Sequence, residues 1–130
     1  MQISKAASYA IVAMGYLAQQ SNGGLVPALQ IADNKQIPKA FLHKILRRLE
    51  NSGFIKSKKG PKGGYKLTRP ADSISILEIV ETIQGQMFFN GCLLGRDDCN
   101  DEASCNLHPI WEKEQHQFKT TLESTMLDIL

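Results

Sequence analysis

The sequence predicts a mainly α fold that carries one small β hairpin and ends in a long helix. Three observations predict it. Apolar residues recur at helical spacing in five separate stretches of the 130 residues. Between the third and fourth stretches, two short runs, Phe54–Lys58 and Tyr65–Leu67, bracket the turn-rich Gly60-Pro61-Lys62-Gly63-Gly64. Apolar residues make up 42% of the chain, enough for one core, yet none of the runs approaches the length of a membrane span.

Each element has its own justification. Ile3, Ala7, Ala10, Ile11, Met14 and Leu17 set the period of the first helix, with Ser4 placed to cap it and Ser21-Asn22-Gly23-Gly24 to stop it. Leu25-Val26 reads as a short extended piece, and Pro27 opens a second helix through Ala32. Asp33 to Ile37 reads as a turn. Pro38 then begins a third helix that Gly53 closes. On that helix Leu42, Ile45, Leu46 and Leu49 share one side, while Ala40, His43, Lys44 and Arg47 share the opposite one. Ser75 and Glu78 have the spacing of a capping box, so a fourth helix starts there, buries Ile76, Ile79, Val80 and Ile83, and ends at Gly85. Residues 86–108 show no periodicity and carry all three cysteines. Pro109 opens the last helix, whose Trp111, Phe118, Leu122, Thr125/Met126 and Ile129, with Gln115 filling the gap, step by fours and threes as in a heptad seam. The expected organisation is a head over residues 1–85, a cysteine-bearing loop over 86–108, and a dimerisation helix over 109–130 that pairs with the same helix of a second subunit.

Charge is segregated along the chain. Residues 35–69 hold eleven Lys or Arg and one acid, Glu50, a net of +10, whereas the rest holds four bases and twelve acids. A basic block in an otherwise acidic chain marks a polyanion-binding face. The order helix, helix, turn, helix, basic hairpin is that of a winged helix-turn-helix, which seats its second motif helix in the DNA major groove and lays the hairpin on the flanking backbone. Lys39, Ala40, His43, Lys44 and Arg47 are the candidate base readers, because Lys and Arg match guanine edges there. Lys58, Lys59, Gly60, Lys62 and Gly63 are the candidate backbone contacts. The partner is double-stranded promoter DNA. An enzyme is not expected: the glycine-rich stretch lacks the Gly-Lys-Ser/Thr of a phosphate-binding loop and lies between strands, and no nucleophile–base arrangement can be placed. With no secretory signal at Met1-Gln2-Ile3-Ser4-Lys5, the expected compartment is the cytoplasm.

Three clustered cysteines without a signal argue against a disulfide framework and for metal or redox chemistry. Cys92, Cys99, Cys105 and His108 offer three thiolates and one imidazole. Only Cys105 and His108 have the tight spacing of a zinc knuckle; the wider gaps suit a larger object. An iron–sulfur cluster, a zinc ion and redox-active thiols all remain open on spacing. His108, just before Pro109, also reads as a helix cap. An iron–sulfur carrier that never touches DNA is the rival reading from another class.

The chain resembles the Rrf2-type bacterial transcription regulators, the group of IscR, NsrR and RirA. The motifs are Ile3-Ser4-Lys5 with Tyr9-Ala10, the wing Lys59-Gly60-Pro61-Lys62-Gly63-Gly64-Tyr65-Lys66-Leu67, and the three cysteines followed by Cys105-Asn106-Leu107-His108-Pro109-Ile110-Trp111. The resemblance, nearest in pattern to the IscR group, implies a homodimer with crossing C-terminal helices. It also implies an iron–sulfur cluster, 2Fe–2S rather than 4Fe–4S, held by Cys92, Cys99, Cys105 and His108 and controlling promoter binding. Two positions depart from the pattern: Ser8 stands where some 4Fe–4S members supply an Asp ligand, and His43 stands where the IscR group has an acid.

Overall fold

The computed structural model describes residues 3–20, 23–85, 92, 94 and 105–130. Five helices and one hairpin occur among them, in the order α1 (Lys5–Ala18), α2 (Ala28–Lys35), α3 (Lys39–Asn51), β1 (Ile55–Lys58), β2 (Gly64–Leu67), α4 (Ile76–Gln84) and α5 (His108–Ser124). A 3-10 turn, Ala71–Ser73, leads into α4, and another, Leu127–Ile129, follows α5. This is the predicted mainly helical fold with a small wing.

The caps explain the boundaries. The Ser4 side chain accepts the Ala7 N–H at 3.1 Å, which fixes the start of α1. Ser75 and Glu78 form the full capping box, with the Ser75 N–H on Glu78 Oε2 at 2.8 Å and the Glu78 N–H on Ser75 Oγ at 3.1 Å. The turn between α2 and α3 is tighter than predicted. Asp33, Asn34 and Lys35 belong to α2, and the helix closes at Gln36, which adopts the left-handed conformation at φ 54° and ψ 46°. The Gln36 side chain donates to the Asp33 carbonyl at 2.9 Å, a local bond that supports a non-glycine residue in this conformation.

One core serves the described elements. Ala7, Ala10, Met14 and Leu17 of α1, Ile31 of α2, Leu42, Ile45, Leu46 and Leu49 of α3, and Ile79 and Val80 of α4 are all buried in it. The hairpin is antiparallel, with Ile55 opposite Leu67 and Lys58 opposite Gly64. Val26, predicted as an extended piece, pairs with Tyr65, N–H to carbonyl in both directions at 2.9 and 2.8 Å, and so roots the hairpin on the body.

The last helix departs from the prediction. It runs from His108 to Ser124 and not to the end of the chain. Thr125 turns extended, and the Ile76 N–H donates to the Thr125 carbonyl at 2.9 Å while the Leu127 N–H donates to the Ile74 carbonyl at 2.8 Å. Leu127 is fully buried in the core, and Leu130 lies against Gly15 of α1, where a Cβ would come within 2.7 Å of it. Met126 and Ile129 therefore do not continue a helical seam. The backbone pairing beside Ser75 draws the chain out of the helix and back onto its own head.

Candidate nucleic-acid interface and cysteine segment

The face of α3 opposite the core is the predicted one. Leu42, Ile45, Leu46 and Leu49 are buried, which forces Lys39, Ala40, His43, Lys44 and Arg47 to the surface, and all five are exposed. Phe41, 38% exposed beside this face, meets the ring of Tyr9 edge-on with centroids 5.4 Å apart, so α1 buttresses the start of α3.

The basic block divides into tied and untied residues. Arg48 donates to the Thr82 carbonyl at 2.9 Å, and Arg69 holds Glu78 at 2.7 and 2.8 Å while lying 5.6 Å over the ring of Phe54. These two arginines serve the fold. Among the described residues, no hydrogen bond or ion pair engages the side chains of Lys39, His43, Lys44, Arg47, Lys58, Lys59 or Lys62. The lone acid of the block, Glu50, is turned toward the hairpin and accepts from Ser57 Oγ at 2.8 Å. Burial, and second the charge of Glu50, raise the Tyr65 hydroxyl above its ordinary 10.0. Lys56 stands directly opposite Lys66 in the ladder, a like-charge pairing that folding alone disfavours. The untied bases and this opposed pair make a surface suited to an external polyanion.

The wing glycines have structural reasons as well. Gly63 donates its N–H to the Gly60 carbonyl at 2.9 Å, and a Cβ on Gly63 would fall 2.0 Å from the Lys58 carbonyl oxygen. A Cβ on Gly64, whose φ is 154°, would meet the Val26 backbone at 2.5 Å. The tip residues Lys58, Lys59, Gly60 and Lys62 are exposed and Gly63 is half-buried.

Of the cysteine segment, Cys92, Cys105 and His108 are described, and Cys99 lies outside the described residues. Cys92 and Cys105 are each half-buried. The Leu94 N–H donates to Cys92 Sγ at 3.3 Å. The His108 N–H donates to the Cys105 carbonyl at 3.1 Å, so the thiol and the imidazole share the turn that starts α5. The cap of that helix is Leu107, which replaces the reading of His108 as a cap. His108 Nε2 lies 3.4 Å from Glu112 Oε2, with the imidazole 16% exposed. The sequence reading passed over Glu112, although its spacing of four residues from His108 on a helix was the available signal. Among the described residues, no three His, Cys, Asp or Glu side chains gather as a metal-binding group. No described helix is long and apolar enough to cross a membrane.

Comparison with known proteins agrees with this architecture. A relative from Aquifex aeolicus (strain VF5) is 33% identical over 129 residues, covering 98% of this chain and 89% of its own. The HTH-type transcriptional regulator IscR of Escherichia coli O1:K1 is 30% identical over 111 residues, 85% of this chain and 68% of that one. Among solved structures, CymR, the global cysteine regulator of B. subtilis, gives a TM-score of 0.83 at 23% identity, covering 98% of this chain and 94% of that one. T. potens IscR gives 0.78 at 24%, covering 98% and 83%. The sequence profile of the Rrf2 family, described as "Iron-dependent Transcriptional regulator", matches residues 3–130. The chain therefore belongs to the Rrf2 family of DNA-binding transcriptional regulators, and it is not an enzyme.

Proposed function

We propose that this chain is a cytoplasmic, homodimeric regulator whose affinity for promoter DNA is set by an iron–sulfur cluster. Binding is by α3 in the major groove and the hairpin on the adjoining backbone. The observation that carries the reading is the untied basic stripe on α3 and the hairpin, present on a chain that also bears the half-buried thiols of Cys92 and Cys105.

Lys44 and Arg47 read base edges, with Lys39, Ala40 and His43 beside them on the same face. Lys58, Lys59 and Lys62 neutralise phosphates, and Gly60 and Gly63 let the backbone come close. The donors suit an iron centre: Cys92 and Cys105 offer soft sulfur, His108 an imidazole one turn from Cys105, and Cys99 supplies the fourth ligand. Glu112 is the kind of carboxylate that orients a metal-bound imidazole. A bound cluster, 2Fe–2S in preference to 4Fe–4S, supplies a redox-sensitive and iron-dependent charge. The second subunit covers α5, which leaves Ile110 62% exposed with Trp111 half-buried beside it.

The test is made on protein purified without oxygen. Iron and acid-labile sulfide are assayed, the visible spectrum is recorded, and a duplex enriched by the protein from a random pool is titrated with loaded and cluster-free forms. Stoichiometric iron and unequal affinities support the reading. Equal affinities overturn control by the cluster. In either form, log affinity falls with log salt by about 0.9 per phosphate neutralised, and salt-insensitive binding overturns the DNA assignment. A second reading, control by the thiols without metal, is favoured by the clustering of Cys92, Cys99 and Cys105 in one stretch of the sequence. It predicts colourless protein after iron and sulfide reconstitution, with DNA affinity that changes on oxidation.

A further inference from the structure

The last turn of α4 is stitched to both neighbouring helices of the head. A helix leaves its final carbonyls without donors of its own. In α4 the Glu81 carbonyl receives the Gly85 N–H at 2.8 Å, and the Thr82 carbonyl receives Arg48 Nη2 of α3 at 2.9 Å. The Gln84 side-chain oxygen receives the N–H of Ser4, the cap of α1, at 3.0 Å. A guanidinium at this end also complements the helix dipole.

The other end of α4 is fixed to the strand that leaves α5. The Ile76 N–H donates to the Thr125 carbonyl at 2.9 Å, and Ser75 pairs with Met126. Between the two ends Ile76, Ile79, Val80 and Ile83 are buried. Packing at interior density leaves such a helix no room to absorb a displacement within itself, so it moves as one piece. The chain that leaves α4 at Gly85 carries Cys92 seven residues on. Arg48 therefore ties the helix that feeds the cysteine segment to the helix that carries Arg47, its exposed neighbour in sequence.

Resting on the reading above, we propose that Arg48 is the positioning residue for DNA binding. A change in the cysteine-bearing segment reaches α3 through the last turn of α4 and the Arg48–Thr82 hydrogen bond. A bond of this kind carries regulation only when its free energy differs between the two states of the protein. That is what removing its donor measures.

The experiment compares the full-length wild type with Arg48→Gln, Arg48→Met and Arg48→Lys. Each is titrated, loaded and cluster-free, with a duplex enriched by the wild type from a random pool, at several salt concentrations. Hydrogen exchange of α3 is followed on the same samples without DNA. The wild type gives a ratio of affinities between forms of about 5- to 150-fold, the range of ordinary coupling. Arg48→Gln brings it to within about twofold of one. The salt slope is unchanged, and loading no longer alters exchange in the last turn of α3. Arg48→Lys keeps a cationic donor and retains most of the ratio. Arg48→Met keeps the apolar stem and must behave as Arg48→Gln, which guards against a folding defect in the glutamine variant. A wild-type ratio preserved in both Arg48→Gln and Arg48→Met overturns the proposal. So does a slope lowered by about 0.9 with the ratio intact, which makes Arg48 a phosphate contact. A wild-type ratio of one fails at the earlier step: it overturns cluster control itself, and this proposal with it.

Discussion

Helices α3 and α5 are both amphipathic, and they meet opposite fates. In α3 four large aliphatic residues are buried within the chain, which frees the opposite face to present a stripe of polar and basic residues. In α5 only Gln115 is buried, and Ile110 points outward at 62% exposure. A short helix owes its stability to what covers its apolar side. The helix covered by its own core has a face to spare, whereas α5 keeps Trp111, Phe118 and Leu122 only half-buried, and the proposed second subunit would cover its outer side.

Four substitutions break or sharpen that contrast. The largest effect is expected inside the head. Leu46→Ala removes a fully buried side chain of α3 and should cost about 2–5 kcal/mol, read from the urea midpoint. Next is the turn end of the wing. Gly64→Ala puts a Cβ against the Val26 backbone at a left-handed φ, so a loss of about 1–3 kcal/mol is expected. It should also speed exchange of the Val26 and Tyr65 amides. On α5, Ile110→Asp should weaken self-association at least about tenfold by sedimentation, close to 1.4 kcal/mol. A dilute protomer should meanwhile change by no more than about 0.5 kcal/mol. An unchanged dissociation constant would remove α5 from the dimer contact.

The smallest effect is electrostatic. Burial alone would raise the Glu78 carboxyl, but hydrogen bonds from Arg69 and from Ser75, with the charge of Arg69, outweigh it and hold the group below its ordinary 4.5. A carboxyl depressed by folding stabilises the fold above its unfolded value, and that contribution is lost as pH falls through the folded one. Wild-type stability should therefore fall on acidification below about pH 4.5, and Glu78→Gln should show a flatter curve over the same range while being less stable at neutral pH. Because the Arg69–Glu78 pair is well exposed, the difference is modest and shrinks with salt.

Much of the head was legible because its signals are local. Ser4, Ser75 with Glu78, Gly53 and Gly85 mark helix ends through bonds or backbone angles that span a few residues. The stripe of Lys39, Ala40, His43, Lys44 and Arg47 follows from helical period alone once Leu42, Ile45, Leu46 and Leu49 are assigned to the core. Distant partnerships were not legible. Nothing near Arg48 announces that it bonds 34 residues ahead, at Thr82, so it counted only as one more base of the block. The early end of α5 has the same origin. Thr125 donates its hydroxyl back to the Thr121 carbonyl at 2.7 Å, but the backbone pairing that ends the helix is with Ile74 and Ile76, about fifty residues earlier. The four-three spacing through Met126 and Ile129 therefore continued on paper where the chain itself bends home. Cys99 falls outside the described residues, and among those described no three candidate ligands gather, so the ligand set stands on the sequence and not on the structure.

The close approach of Gly64 to Val26 has a consequence for how duplex is gripped. Two backbone hydrogen bonds and a missing side chain clamp the turn end of the hairpin to the segment that leads into α2. If the lysine-bearing tip meets DNA as proposed, it does so as a bracket already fixed to the body rather than as a flap that must be caught. Little freedom is left for the nucleic acid to quench there, so more of the attraction between charges survives as affinity.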